Sequence, residues 1–192
     1  MNKFCTSWRL SIAAIGIGNL ISSTAAQAGG ALTVGMTAGD LPVTTGNPDQ
    51  GFEGYRFVGY NLYDSLALWD LSKSDVASDI KPGLATEWQV DDANPKRWIF
   101  KLRQGVKWHD GCPFTADDVV WNLGYSMNDK LPQFNPAQFA QARPYLGTYA
   151  GVEKLDDHTV AFTTKAPDSL FPYEISYVLM VSPCRAKEVN NN

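Results

Sequence analysis

Histidine and cysteine are scarce in this chain, with two of the first and three of the second in 192 residues. Zinc sites and Cys–His catalytic pairs draw on these residue types at fixed spacings, and no zinc-type spacing occurs here. His-Glu-x-x-His and Gly-x-Ser-x-Gly are also missing, so no motif supports a zinc protease or a serine hydrolase. Basic residues are fewer than acidic ones, 16 against 20, which argues against nucleic acid as a partner. Long apolar runs are lacking too. The one apolar stretch, Leu10 to Ile21, falls well short of the roughly 20 residues of a membrane-spanning helix.

That stretch fits a different role. Lys3 and Arg9 precede it, and Ala26-Gln27-Ala28 follows as a small-x-small site. This order is that of a secretory signal peptide, with cleavage predicted after Ala28. Cleavage leaves 164 residues and a balance of 14 basic to 20 acidic groups, a net charge of −6. A chain of that length supports one domain with a core, burying about 70% of its unfolded surface. Cys5 leaves with the leader and lies too early to carry a lipid at the cleavage site. Cys112 and Cys184 remain. An oxidising compartment permits them to pair, but two cysteines 72 positions apart are not placed within bonding distance by sequence.

The rest of the chain reads as alternating elements. "ALTVGM", 31–36, has the pattern of a short buried strand, and "TAGDLPVTTGNPDQG", 37–51, that of a long irregular loop; loops of this length are often functional. Apolar spacings of three and four predict a helix from about Glu53 to Leu66. Two hairpins follow. In the first, Trp88 and Val90 alternate with Glu87 and Gln89, "DDANP" turns the chain, and Trp98, Phe100 and Leu102 fall on one face of 96–103. In the second, 151–165, Asp156-Asp157 make the turn and Val160 and Phe162 point inward. Both hairpins share a strand–Asp-Asp–strand plan. A short helix and an apolar run at 175–181 come next, and "CRAKEVNNN" reads as a frayed end.

Between the hairpins lies "VKWHDGCPFTADDVVWNL", 106–123, the stretch that most invites a mechanism. Asp110-Gly111 is a turn signal, with glycine tolerating positive φ. Thr115 sits at a helix N-cap with Asp118 three residues on, a capping-box pattern. Asp117 and Asp118 also complement the helix dipole. Ala116, Val119, Val120, Leu123 and Met127 share one helical face, and the helix should stop before Leu131-Pro132. Each acid therefore has a structural task. His109 and Asp110 are adjacent, which is poor geometry for two ligands of one metal without a third group nearby. Trp88, Trp98 and Trp108 lie on or beside strands and read as core rather than as a ligand platform.

"PGLATEWQVDD", "RWIFKLRQGVKWHDGCPFTADDVVWNL" and the later "LDDHTVAFTTKAPDSLFPY" together resemble the signature of the extracellular solute-binding proteins of the peptide/nickel class, family 5, which serve ATP-binding-cassette importers. Cys112 departs from that pattern, where a serine, threonine or similar residue is usual. The resemblance runs from the start of the mature chain to about Pro183. It implies an α/β fold of the periplasmic binding protein-like II clamshell type, here the N-terminal lobe and subdomain only, as a mixed sheet with antiparallel hairpins and flanking helices. The implied division is a signal peptide at 1–28, the first strand and ligand-facing loop of lobe I at 29–51, the N-terminal subdomain at 52–183 and a truncated tail at 184–192. It implies a periplasmic location, no enzymatic activity, no cofactor and no metal. Ligand would be held non-covalently by hinge closure. The partners would be a peptide or other small solute and an inner-membrane permease with its ATPase. From the family pattern, Thr37, Ala38, Gly39 and Asp40 are the expected ligand-facing residues. Two alternatives stay open: a non-functional truncated remnant, and a secreted hydrolase or metal-binding protein built on His109 and Asp110.

Overall fold

The structure is a computed structural model and describes Thr33 and residues 59–190. Thr33 apart, the expected first strand, the loop 37–51 and the start of the expected helix lie outside the described residues. Only the end of that helix can be placed. A single helical turn, α1 (Tyr60–Leu62), ends with Tyr63 extended at φ −125° and ψ 150°. The helix therefore does not reach Leu66, which is fully buried at a bend just ahead of Ala67. Leu62 is 61% exposed, so the three-and-four spacing did not mark one buried helical face.

Two antiparallel sheets follow. A small ribbon pairs β1 (Ala67–Trp69) with β2 (Ile80–Pro82). The larger sheet holds β3 (Ala85–Asp91), β4 (Asn94–Leu102), β5 (Tyr149–Asp156) and β6 (Thr159–Thr164) in the order β3-β4-β6-β5. Both expected hairpins are present, and β4 pairs with β6 to join them. Register follows the alternation in sequence. Trp98 lies opposite Phe162, and Phe100 opposite Val160. All four point to one face, because side chains alternate with period two. Val90 departs from the expectation: it is 36% exposed, since β3 is an edge strand with little packed over its end.

The inner face of the sheet carries the core. Phe100, Phe162 and Phe171 are each fully buried and meet ring to ring, at centroid distances of 5.2, 6.3 and 5.3 Å. These are favourable tilted and edge-to-face contacts. Val119 and Leu123 of α2 (Ala116–Met127) cover them, as do Ile175 and Met180. On the outer face Arg97 bridges Asp91 at 2.9 Å and Glu153 at 2.6 Å, tying three strands. Trp98 faces inward and its indole N–H donates to the Asp168 carbonyl at 2.9 Å. Of the other two tryptophans expected in the core, Trp88 stacks on Phe100 and Trp108 meets Phe114 edge-on.

Helix α2 begins at the expected place. The Asp118 carboxylate accepts the Thr115 N–H at 2.9 Å and the Trp108 indole N–H at 3.1 Å. Gly111 has φ +88° in the preceding turn, a conformation side-chain-bearing residues resist. Gly83 serves closeness instead: a Cβ there would lie 2.5 Å from the Ser65 carbonyl oxygen, where the chain crosses itself. After α2 comes α3 (Pro136–Ala142), capped by Asn135, whose side chain accepts from Ala137 and Gln138 N–H. Then α4 (Phe171–Glu174), a 3-10 turn (Ile175–Tyr177) and a buried extended run, 178–181, match the helix and apolar stretch read from sequence. The frayed end does not: Pro183–Asn190 forms a helix, α5.

Candidate functional site

Two hollows flank the segment that leaves α1. The first encloses about 490 Å³. Its floor is apolar, from Leu84, Val106, Phe114 and Met180, and its rim is charged. The turn contributes Lys107, His109 and Asp110 to that rim, and α5 contributes Arg185 and Glu188. The second is larger, about 940 Å³, and its walls are aromatic. Tyr145 and Tyr177 stack with ring centroids 3.9 Å apart and planes 6° from parallel. Trp69 stands edge-on to Tyr177 at 5.9 Å. Apolar walls with a few polar groups are the usual make-up of a small-molecule site.

The turn 106–114 is a miniature hairpin. Lys107 bridges Pro113, the Phe114 N–H donates to Val106, and the Trp108 N–H donates to Cys112. Asp110 accepts the Cys112 N–H at 2.9 Å and the Ser182 hydroxyl. Those two bonds, the Ser182 one foremost, hold its carboxyl below the usual carboxylate range. Asp118 is pushed the other way, chiefly because burial disfavours its charge. Cys112 is bonded to Cys184, with Cα atoms 6.7 Å apart. Sequence permitted this pairing but could not locate it.

His109 and Asp110 are thus both exposed on the first hollow's rim. Asp110 serves to anchor the chain that enters α5. Among the described residues no three histidine, cysteine or acidic side chains converge to hold a metal ion. Ser182 donates its hydroxyl to the Asp110 carboxylate. These surfaces offer a bound molecule contact, charge and stacking. Thr37, Ala38, Gly39 and Asp40 lie outside the described residues. No described helix is long and apolar enough to cross a membrane.

Sequence reasoning missed several residues that build these surfaces. Asn122 is buried on α2, and its amide both donates to the Val181 carbonyl and accepts the Val181 N–H, each at 2.9 Å. An asparagine inside an apolar helical face was the available signal. Ser182-Pro183 is a helix-start pair that sequence could have caught. Tyr145 and Tyr177, 32 positions apart, offered no local cue.

The sheet with its flanking helices is part of a type II periplasmic-binding-protein fold. A crystal structure of a dipeptide-binding protein from Pseudoalteromonas sp. SM9913, in complex with Met-Leu, superimposes with a TM-score of 0.63. The match has 24% identity and covers 78% of this chain and 32% of that one.

Sequence comparison gives the family. Residues 79–191, more than half of the chain, match the bacterial extracellular solute-binding proteins, family 5, and the chain belongs to that family. It is 33% identical over 136 residues to the periplasmic oligopeptide-binding protein OppA of Salmonella typhimurium, covering 66% of this chain and 23% of that protein. To OppA of Escherichia coli it is 30% identical over 188 residues, covering 90% of this chain and 32% of the relative. The chain thus spans 23% to 32% of the length of these relatives.

Proposed function

We propose that this chain acts in the periplasm as substrate-binding component of an ATP-binding-cassette importer for peptides or a similar small solute. It captures ligand non-covalently by hinge closure and hands it to an inner-membrane permease with its ATPase. The observation that carries this reading is the family match over 79–191, joined by similarity to proteins named for oligopeptide binding. Catalysis is not part of the reading, since the relatives are named as binding proteins. A signal peptide cleaved after Ala28 delivers the chain, and Thr37, Ala38, Gly39 and Asp40 meet the solute.

The test is thermal melting of the purified mature chain with and without a pool of di- to pentapeptides. A ligand that binds only the native state stabilises it by about 2.7 kcal/mol at one hundred times its Kd. The expected result is a raised Tm with every peptide recovered intact, and a smaller rise in Asp40→Ala. An unchanged Tm across the pool would sink the reading for this chain. Peptides recovered cleaved would replace it with an enzymatic one.

A further inference from the structure

The last described helix is held in an unusual way. Helix α5 spans eight residues, Pro183–Asn190, and isolated helices shorter than about 12–15 residues are marginal in water. Stability must therefore come from docking and from fixed links to the rest of the fold. Among its described side chains, Pro183 is buried in the first turn and Ala186 beyond it, at 5% exposure. Arg185, Lys187 and Glu188 face solvent. The Arg185–Glu188 pair, at 3.1 Å, is exposed at both ends, and such surface pairs contribute little.

Hollows lie on both sides of it. Arg185 and Glu188 line the 490 Å³ hollow described above. Ala186 and Lys187 line another, of about 340 Å³, against Trp121, Tyr125 and the 132–135 loop. Close packing is thus missing on two flanks. What remains are discrete fastenings at the N-terminal turn. Ser182 donates to Asp110 and accepts the Arg185 N–H at 3.3 Å, and the disulfide joins Cys184 to Cys112 on the same turn as Asp110.

We propose that the Cys112–Cys184 disulfide is a redox-sensitive latch that holds α5 in place and so sets one wall of the first hollow. Both cysteines are half-buried, which leaves the bond within reach of a small or protein dithiol. Reduction transfers two electrons and two protons from the dithiol: the sulfur–sulfur bond breaks, two thiols form, and the dithiol becomes a disulfide. Among the described links between the turn and the start of the helix, the Ser182–Asp110 hydrogen bond then remains. Helix α5 leaves, and the two hollows beside it open to solvent. The four-stranded sheet keeps its apolar core and stays folded.

The experiment is hydrogen–deuterium exchange on the whole chain, oxidised, reduced with dithiothreitol, and as the Cys112→Ser/Cys184→Ser double variant. Alkylation without reductant first establishes whether the bond is present. Two free thiols in the oxidised sample would overturn the proposal. Loss of the bond is expected to speed exchange at amides 186–190 by roughly tenfold or more, with amides 98–102 and 160–164 remaining the more protected. Unchanged exchange in α5 would overturn the latch. So would α5 and sheet amides moving together to one common rate, because the bond would then secure the whole fold rather than this helix.

Discussion

The four-stranded sheet and the α5 corner are fastened in opposite ways. The sheet holds by area: Trp98, Phe100, Val160, Phe162 and Phe171 interlock, and no single contact defines the arrangement. Among the described residues the corner holds chiefly by points: one disulfide, one hydroxyl–carboxylate hydrogen bond, and the small buried side chains of Pro183 and Ala186. Area burial is non-directional and cooperative, so damage to it spreads through the domain. Points are directional and nearly independent, so damage to one stays local. A surface that must be fixed in the assembled state yet cheap to release would be built the second way.

Substitutions can break this contrast or sharpen it. Phe162→Ala, at the middle of the aromatic cluster, should cost about 3–5 kcal/mol of global stability, read as a lower urea midpoint. A cost below about 1 kcal/mol would mean the sheet is not the stable part. Asn122→Ala should come next, at about 1–3 kcal/mol, because it strands a buried N–H and a buried carbonyl of Val181. Asn122→Asp should be no better, since it keeps the acceptor but turns the donor into a second acceptor facing the Val181 oxygen. Trp98→Phe keeps an aromatic ring on the inner face but removes the five-membered ring that carries the N–H donor to Asp168. It should cost about 0.5–1.5 kcal/mol in the same denaturation series.

The smallest effect belongs to the corner. The Asp110 carboxyl titrates below its ordinary value because Ser182 and the Cys112 N–H stabilise its charge. Its contribution is complete above the unfolded value, about 3.9, and fades as pH falls through the lower folded value. Asp110→Asn should therefore speed exchange in α5 modestly at neutral pH. The difference from the natural chain should vanish once pH is low enough to protonate Asp110 in the folded state. A difference that persists there would show that charge is not what fastens this point. Glu174 runs the other way. Burial, aided by Asp168, raises its pKa, so stability falls as pH rises from the unfolded value toward the folded one, and Glu174→Gln should remove that fall.

Sequence legibility follows the same division. Hairpin faces, the turn at Gly111 and the start of α2 were readable because each depends on neighbours two to four positions apart. Thr115 with Asp118, and Trp98 with Phe100, are signals of that kind. Residues that act across the fold were not readable. Asn122 reaches Val181 over 59 positions, Trp98 reaches Asp168 over 70, and Cys112 reaches Cys184 over 72. Each looked ordinary in its own segment. Leu66 failed for another reason: a helical spacing was carried past Tyr63, where the helix ends, onto a residue that sits at a bend against Gly83. The expected ligand-facing residues, Thr37 to Asp40, lie outside the described residues; His109 and Asp110, the alternative site, were legible as a turn, but α5 beside them was read as a frayed end.

The Asn122 amide has one further consequence. A primary amide presents the same donor and acceptor as a peptide group, so here a helix side chain stands in for a neighbouring strand. It grips residue 181 from one side, while the Asp64 carbonyl accepts the Met180 N–H at 2.9 Å from the other. Because side chains alternate, a shift of this run by one residue would turn Met180 out of the core. It would also break both asparagine bonds at once. Sliding is therefore blocked by a single residue, and the chain can enter α5 at only one phase.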